Sequence, residues 1–310
     1  MKELAPRSSV TLEQSVPPLP ARVSVIVPAY NEGPHIADGL VELQAVLESS
    51  GWAFEIIVVD DGSADDTATA AASTGVRVIQ HRRNRGYGAA LKTGVAAAQY
   101  DWIMITDADG TYPAASIPKL LEKTDGNEMV VGARIGQTVR IPHVRRPAKW
   151  FLRQLASYLA GQKLPDLNSG LRLMRRDLID RYHHLLPSGF SFTTTITLAA
   201  ACNEHDVDYV GIDYLSRKGD SKIRPWHAYE FSLLILRIIV FFNPLKVFIP
   251  LGAVLMVAGL AKFAYDVTRD NLSESAIFAM LTAMLFWAVG LLADQNSRIA
   301  LGRVSSSRPS

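Results

Sequence analysis

The segment VSVIVPAYNE at residues 23–32 begins with apolar, mostly β-branched side chains and ends in a proline and polar residues. Such a run predicts a short buried β-strand, Val23–Val27, which stops at Pro28. Ile56–Val59 is a second run of the same kind, and Asp60-Asp61-Gly62 ends it. Between the two runs, apolar residues recur at the spacing of one helix face: Ile36, Leu40, Leu43 and Leu47. The segment therefore predicts a strand, a helix and a second strand.

The same alternation continues along the chain. A helix is predicted at Asp65–Ser73, a strand at Val76–Ile79, a helix at Gly88–Ala98 and a strand at Trp102–Thr106. Strands and helices that alternate in this way form an α/β fold with a doubly wound, mostly parallel sheet. Ligands of such sheets bind at the carboxyl ends of the strands. We therefore expect a catalytic domain at residues 22–225, with its site at that edge.

Two apolar stretches follow this domain, at about 245–265 and 275–293. Each has roughly the length that crosses a bilayer, and charged side chains are nearly absent from both. The alternative is a pair of buried helices in a soluble domain, which the lack of charge disfavours. We therefore predict a membrane hairpin at residues 244–295.

The regions beside the hairpin predict its orientation. The connecting segment Asp266–Ser275 is polar and net acidic, whereas basic residues precede and follow the pair of stretches, so both termini and the catalytic domain are expected in the cytoplasm. Residues 226–243 predict an amphipathic helix on the membrane surface, and residues 296–310 a cytoplasmic tail. Residues 1–21 contain several prolines and no apolar run, which is typical of a disordered segment.

Composition excludes several classes of function. Lys and Arg total 32 against 30 Asp and Glu, and the formal net charge of +2 gives no electrostatic case for nucleic acid as a partner. Cys202 is the only cysteine, so an intramolecular disulfide and every multi-cysteine zinc site are excluded.

The strongest chemical signal is Asp107-Ala108-Asp109, which follows the predicted strand at Trp102–Thr106. Two carboxylates at the end of a strand can hold a hard divalent cation, and the cation can bind a diphosphate. Taken alone, the motif also fits a simple turn in which aspartate side chains bond to the backbone.

Three further motifs are predicted at the same edge of the sheet. Pro28–Glu32 closes the first strand, Val59–Ser63 closes the second, and Asn84–Ala90 opens a later helix. An aromatic ring and carboxylates suit a nucleoside, because the ring can stack on the base and a carboxylate can accept its N–H groups. A turn and helix cap would explain Asp60–Ser63 alone. The joint occurrence of the motifs favours a nucleotide site.

With these motifs in place, the chain resembles family 2 glycosyltransferases of the GT-A fold. The resemblance covers about Val23–Arg224 and extends to Asp166–Arg172, and it is closest to polyprenyl-phosphate sugar transferases similar to dolichol-phosphate mannose synthase. It implies Mg²⁺ or Mn²⁺ at Asp109 and Asp107, with Asp107 beside the sugar. Many relatives continue the motif with a glutamine ligand, for which the Thr111 hydroxyl or a water would substitute here. The implied contacts of the nucleotide-sugar are Pro28, Ala29, Tyr30, Glu32, Val59, Asp61, Asp107, Ala108, Asp109, Lys222 and Arg224. Lys222 and Arg224 would equally suit contact with anionic lipid.

A basic segment near the middle of the chain suits an acceptor phosphate, because arginine binds phosphate with two parallel donors. The expected contacts are Arg134, Arg145, Arg146 and Ser169, of which Arg134 is preferred because it ends a predicted strand. Some of these arginines would equally suit a solvated or headgroup-binding face. Asp107, Asp109 and Arg134 are thus the expected catalytic residues.

The resemblance implies a carboxylate base near residues 189–195, as in many inverting enzymes of this fold, but the stretch offers only hydroxyl side chains. A phosphate acceptor is already an anion and needs no base. The sequence therefore predicts inverting transfer of a hexose from a GDP-mannose or UDP-glucose type of donor to dolichyl or undecaprenyl phosphate. Two alternatives stay open: transfer to a saccharide or glycolipid hydroxyl, and a catalytically silent membrane subunit. Association of copies through the membrane helices is also left open.

Overall fold

The computed structural model describes residues 21–135, 160–189, 191–215, 240–269 and 273–305, together with residues 154, 157, 158 and 233. The predicted disordered segment lies almost wholly outside the described residues, as does most of the predicted surface helix at 226–243. Of that helix, Val240–Phe242 is helical and Asn243 is not.

A seven-stranded sheet forms the centre of the α/β domain, in the order β3-β2-β1-β4-β6-β5-β7. All pairs are parallel except those of β6, which runs antiparallel to both of its neighbours. This confirms the mostly parallel sheet. The strands are β1 Arg22–Ala29, β2 Ala53–Asp60, β3 Arg77–Gln80, β4 Trp102–Ile105, β5 Met129–Arg134, β6 Arg172–Arg175 and β7 Val207–Ile212.

Helices cover both faces of the sheet. Side chains of successive strand residues point to opposite sides, so strands that are apolar throughout give each face its own core. Ile57 and Val59 of β2 pack into one core, and Ile56 and Val58 into the other. The described helices of this domain are α1 Gly33–Ser49, α2 Thr67–Ser73, α3 Tyr87–Ala97, α4 Ile117–Leu121, preceded by a 3₁₀ turn at Ala114–Ser116, α5 Arg176–Tyr182 and α6 Phe192–Cys202. The apolar face predicted for α1 is buried as expected.

Two long helices, α7 Leu245–Thr268 and α8 Glu274–Ser305, form a hairpin. Both contain segments long and apolar enough to cross a membrane. Buried positions recur every seven residues on each helix, which is the spacing of a left-handed helix pair. The buried positions are Gly252, Gly259 and Asp266 on α7 and Ala276, Ala283, Gly290 and Ser297 on α8.

The second helix differs from the prediction. Its last turns extend past 293 and through most of the predicted tail at 296–310. Its 32 residues correspond to about 48 Å, more than the hydrocarbon thickness of a bilayer. Asp294 and Arg298, four residues apart, lie on this extension and pair at 2.8 Å, as on a continuous helix.

Candidate active site

The carboxyl ends of β1, β2 and β4 lie at one edge of the sheet, because the three strands are parallel and in register. Tyr30, Asp61 and Asp107 follow these strands and are therefore brought together at that edge, as the sequence predicted. Tyr30 is 39% exposed, so its ring is accessible to a ligand. The side chains of Ala29 and Val59 pack in the core, so these positions shape the site without offering polar groups.

The loop after β1 is joined to the loop after β2 by side-chain hydrogen bonds. Asn31 has a left-handed backbone, with φ of 56°, and its Oδ1 accepts the backbone N–H of Ala64 at 2.9 Å. The backbone N–H of Glu32 donates to Thr67 Oγ1 at 2.9 Å. These contacts hold Tyr30 and Glu32 on a fixed corner beside Asp61.

Asp61 is buried and organises a third loop. Its Oδ1 and Oδ2 accept the backbone N–H groups of Arg85 and Gly86 at 2.9 and 2.8 Å. His81 Nδ1 lies 2.7 Å from Oδ1 and must be the donor, because a carboxylate only accepts. The other ring nitrogen of His81 lies 2.9 Å from Thr93 Oγ1 on α3. Contact of Asp61 with a nucleoside stays a prediction, and its carboxylate already binds the protein on both oxygens.

Asp107 is half-buried and is contacted on both carboxylate oxygens. The hydroxyl of Tyr87, the first residue of α3, donates to its Oδ1 at 2.9 Å. Gly170 lies against Oδ2, where a Cβ on residue 170 would be only 2.4 Å away. Burial raises the pKa of Tyr87 well above its ordinary value, and the charge of Asp107 raises it further, so the phenol stays a donor.

Asp109 is half-buried in a turn at the same strand end. Its Oδ1 accepts the backbone N–H of Thr111 at 3.1 Å and the Thr111 hydroxyl at 2.6 Å. Gly110 has φ of 67°, which a turn with this geometry favours. Thr111 is buried and holds Asp109 in place, so its expected role as a metal ligand stays a prediction.

Asp107 and Asp109 provide hard oxygen atoms of the kind that Mg²⁺ and Mn²⁺ bind. Among the residues that the structure describes, no group of three or more His, Cys, Asp or Glu could form a metal site from protein ligands alone. Mg²⁺ commonly binds one or two carboxylates together with waters and substrate phosphates. The residues present therefore fit a cation that arrives with a diphosphate.

Arg134, at the end of β5, is held by Asp166. Its Nε and Nη2 donate to the two carboxylate oxygens at 2.7 and 2.9 Å, and Nη2 also donates to Asn168 Oδ1 at 2.6 Å. Burial works to lower the pKa of Arg134, but hydrogen bonding to Asp166 outweighs it and raises the pKa. Burial likewise works to raise the pKa of Asp166, and Arg134 holds it below its ordinary value. The guanidinium stacks on Tyr214, with 5.3 Å from its carbon to the ring centroid.

Arg172 is fully buried behind this edge, at the start of β6. It donates to the backbone carbonyls of Ser169 and Thr193 and to the Thr197 hydroxyl, and burial lowers its pKa. Ser169 is also fully buried, and its hydroxyl has no hydrogen-bond partner in the described part of the chain. Contact of Ser169 with an acceptor phosphate would therefore require the loop before β6 to move, and it stays a prediction.

The remaining predicted site residues, Arg145, Arg146, Lys222 and Arg224, lie outside the described residues. Sequence reasoning also missed residues that the structure places at the site, namely His81, Tyr87, Gly170 and Arg172. Tyr87, Gly170 and Arg172 lie in motifs quoted above, but their individual roles depend on contacts between distant segments.

Residues 24–182 match the family described as glycosyl transferase family 2. The chain belongs to this family. It is therefore a glycosyltransferase, and its mostly parallel sheet is the GT-A fold. Residues 243–299 of the same glycosyltransferase match a second family, described as the GtrB C-terminal hairpin, which covers most of α7 and α8.

Curated relatives include a dolichyl-phosphate hexose transferase of Haloferax volcanii, 30% identical over 206 residues, or 66% of this chain and 87% of that protein. An undecaprenyl-phosphate 4-deoxy-4-formamido-L-arabinose transferase of Klebsiella pneumoniae is 33% identical over 165 residues. That match covers 51% of this glycosyltransferase and only 50% of the relative.

Among solved structures, the fold resembles glucosyl-3-phosphoglycerate synthase from Mycobacterium tuberculosis in complex with Mn²⁺, UDP and phosphoglyceric acid. The TM-score is 0.55 at 22% identity, over 71% of this chain and 76% of that one. This likeness supports the fold of the α/β domain alone.

Proposed function

We propose that this glycosyltransferase moves a hexose from a nucleotide-diphosphate sugar, of the GDP-mannose or UDP-glucose type, to dolichyl or undecaprenyl phosphate. One observation carries the proposal: an edge with paired carboxylates and an apolar helical hairpin occur in the same chain. A soluble acceptor would give no reason for the hairpin, whereas a lipid-linked acceptor must be met at the bilayer. The names of both curated relatives, which contain a polyprenyl phosphate, support this acceptor.

The donor would bind along the edge formed by β1, β2 and β4. Exposed Tyr30 would lie against the base, with Glu32 and Asp61 as acceptors for polar hydrogens of the nucleoside. Pro28, Ala29, Val59 and Ala108 would form the walls, with Asp107 beside the sugar and Asp109 beside the diphosphate. Lys222 and Arg224, outside the described residues, are expected to bind the departing phosphates.

Asp109 and Asp107 would hold Mg²⁺ or Mn²⁺, with Thr111 as a further expected ligand. The Mn²⁺ and UDP in the solved relative support a divalent ion, and the two carboxylates fit one as described above. When bound, the ion would neutralise charge on the diphosphate as the bond to the sugar breaks.

The reaction would be a single displacement. An oxygen of the acceptor phosphate attacks the anomeric carbon, the bond from that carbon to the diphosphate oxygen breaks, and the configuration inverts. The phosphate is an anion at neutral pH, so no side chain has to remove a proton. Arg134, with Arg145 and Arg146 outside the described residues, would bind the acceptor phosphate. Asp166 and Asn168 hold the Nε and Nη2 side of Arg134, so Nη1 is the group that we assign to the phosphate.

We place the α/β domain and both termini in the cytoplasm, because the segment between α7 and α8 is acidic and the flanking segments are basic. Nucleotide-sugars would then reach the site from the compartment in which the chain is made. The acceptor phosphate would sit at the headgroup level beside the domain.

The test is transfer of radiolabelled sugar by the purified full-length protein. GDP-mannose and UDP-glucose are each supplied with undecaprenyl phosphate, dolichyl phosphate or the matching unphosphorylated polyprenol. We expect one donor to give extractable lipid-linked sugar with a phosphorylated lipid and none with the polyprenol. EDTA should abolish the product, and added Mg²⁺ or Mn²⁺ should restore it.

Asp109→Asn provides the matched inactive control, because it removes one charged ligand and keeps the shape of the side chain. Its turnover should fall by about a hundredfold or more. Transfer to polyprenol or to a water-soluble saccharide instead of the phosphorylated lipid would reject the proposed acceptor. Equal product from wild type and Asp109→Asn would reject the proposed site.

A further inference from the structure

One short segment connects the two carboxylates that the proposed function assigns to opposite ends of the donor. Asp61, on the nucleoside side, accepts the backbone N–H groups of Arg85 and Gly86. The next residue, Tyr87, donates its hydroxyl to Asp107, on the sugar side, at 2.9 Å. Residues 85–87 therefore join the two ends of the proposed donor site through hydrogen bonds.

The support behind this segment is buried and cross-linked. His81 binds Asp61 at 2.7 Å and Thr93 at 2.9 Å, and Thr93 lies on α3, the helix that Tyr87 begins. Gly86 has φ of 97°, and a Cβ there would lie 2.7 Å from a backbone carbonyl of residue 188. The turn before Tyr87 is thus packed on both sides, which fixes the backbone position from which the Tyr87 side chain extends.

Asp107 needs such a partner because the terminal torsion of an aspartate has a broad energy minimum. The backbone of Gly170 packs against the same carboxylate, since a Cβ there would lie 2.4 Å from Oδ2 and 2.8 Å from Oδ1. The Tyr87 hydroxyl holds the Oδ1 side. Together the two contacts select one orientation of the carboxylate plane.

We infer that Tyr87 is a positioning residue that orients Asp107 for the sugar of the donor. The inference rests on the proposed function and deepens it. According to this inference, tight binding of the nucleotide-sugar depends on the Tyr87 hydroxyl. Binding of the nucleoside diphosphate depends on the rest of the site.

Tyr87→Phe tests this, because it removes the hydroxyl and keeps the ring. Calorimetry on the full-length protein with Mg²⁺ measures the affinities for a nucleotide-sugar and for its nucleoside diphosphate. The pair is UDP-glucose and UDP, or GDP-mannose and GDP, according to which donor the transfer assay identifies. We expect affinity for the nucleotide-sugar to fall about tenfold or more, as for loss of a hydrogen bond to a charged group, and affinity for the nucleoside diphosphate to change less than about twofold.

Tyr182→Phe is the matched control, because it also removes a buried hydroxyl, one that lies 2.9 Å from His205 Nε2. Both affinities should stay within about twofold of wild type. Equal losses of both ligands in Tyr87→Phe, or no loss of either, would overturn the inference.

Asp107→Ala supplies a second measurement that does not depend on folding of Tyr87→Phe. Because Asp107 is also an expected metal ligand, Asp107→Ala should weaken both the nucleotide-sugar and the nucleoside diphosphate, and adding Tyr87→Phe should then have less than about a twofold further effect on either affinity. A full effect of Tyr87→Phe in the Asp107→Ala background would show that Tyr87 acts elsewhere, and would overturn the inference. If wild type transfers no sugar at all, the proposed function fails together with the inference. If wild type transfers sugar and only these binding differences are absent, the inference alone fails.

Discussion

Gly170 offers the most direct test of the geometry around Asp107. A Cβ on residue 170 would lie 2.4 Å from Asp107 Oδ2, whereas ordinary contact begins near 3.4 Å, so the carboxylate would have to move by about 1 Å. The backbone of Gly170 lies outside the left-handed region, so alanine fits it without conformational strain. A displacement of about 1 Å at a catalytic group can cost roughly a hundredfold in rate. We therefore expect Gly170→Ala to lower kcat about a hundredfold while the protein stays folded.

The assay is the initial rate of lipid-linked sugar formation, with kcat and KM for both substrates. Gly211→Ala is the matched control, because a Cβ at Gly211 on β7 meets nothing within 4 Å. Its kcat should stay within about twofold of wild type. Thermal unfolding in detergent separates lost activity from lost structure. A kcat of Gly170→Ala within about threefold of wild type, at an unchanged Tm, would refute the argument that Asp107 must occupy this position.

Three other predictions follow from the structure and the hairpin. Arg134→Ala should raise KM for the lipid about tenfold or more and change KM for the donor much less, whereas the reverse order would assign Arg134 to the diphosphate. Asp166→Asn should destabilise the folded protein by about 3 kcal/mol at neutral pH, since it breaks a buried pair with Arg134. The folded pKa of Asp166 is lowered, so its stabilising effect is present above the ordinary aspartate pKa of 3.8 and is lost as pH falls through the folded pKa. The difference in free energy of unfolding between wild type and Asp166→Asn should therefore become smaller in acid. A difference that is constant with pH would contradict the ion pair. In a Cys202→Ser background, a cysteine at Asn271 should react with an impermeant thiol reagent on intact cells, and one at Ser306 should not. The opposite pattern would reject the proposed orientation of the hairpin. Both positions lie outside the described residues.

Local patterns were sufficient to predict the elements at the start of the chain. β1 and α1 are encoded by apolar runs and helical spacing that depend on neighbours only a few residues away. Local patterns did not predict β6 or β7, although Arg172–Arg175 is a strand and Arg172 is fully buried. A four-residue strand with arginine at both ends resembles a surface turn. Burial of its first arginine is favourable because the side chain also reaches the Thr193 carbonyl and the Thr197 hydroxyl, both more than 20 residues away.

The candidate site, too, could be predicted from the sequence only in part. Asp107 and Asp109 could be predicted because they follow a strand whose parallel neighbours also end in polar motifs. The attribution of Arg134 to a strand end was likewise confirmed by β5. Its bidentate pairing with Asp166, 32 residues away, was outside the reach of sequence spacing.

The sequence by itself determined the chemistry that is available: two carboxylates one residue apart, a nucleoside-like set of polar motifs, and two apolar stretches of spanning length. These are properties of residue type and of spacing along the chain. Tertiary structure alone decided which oxygen of Asp107 meets Tyr87, why residue 170 has no room for a side chain, and that Asp61 binds the loop leading to Tyr87. These features depend on distances of a few ångströms between segments far apart in sequence, and only the packed sheet and its loops fix such distances.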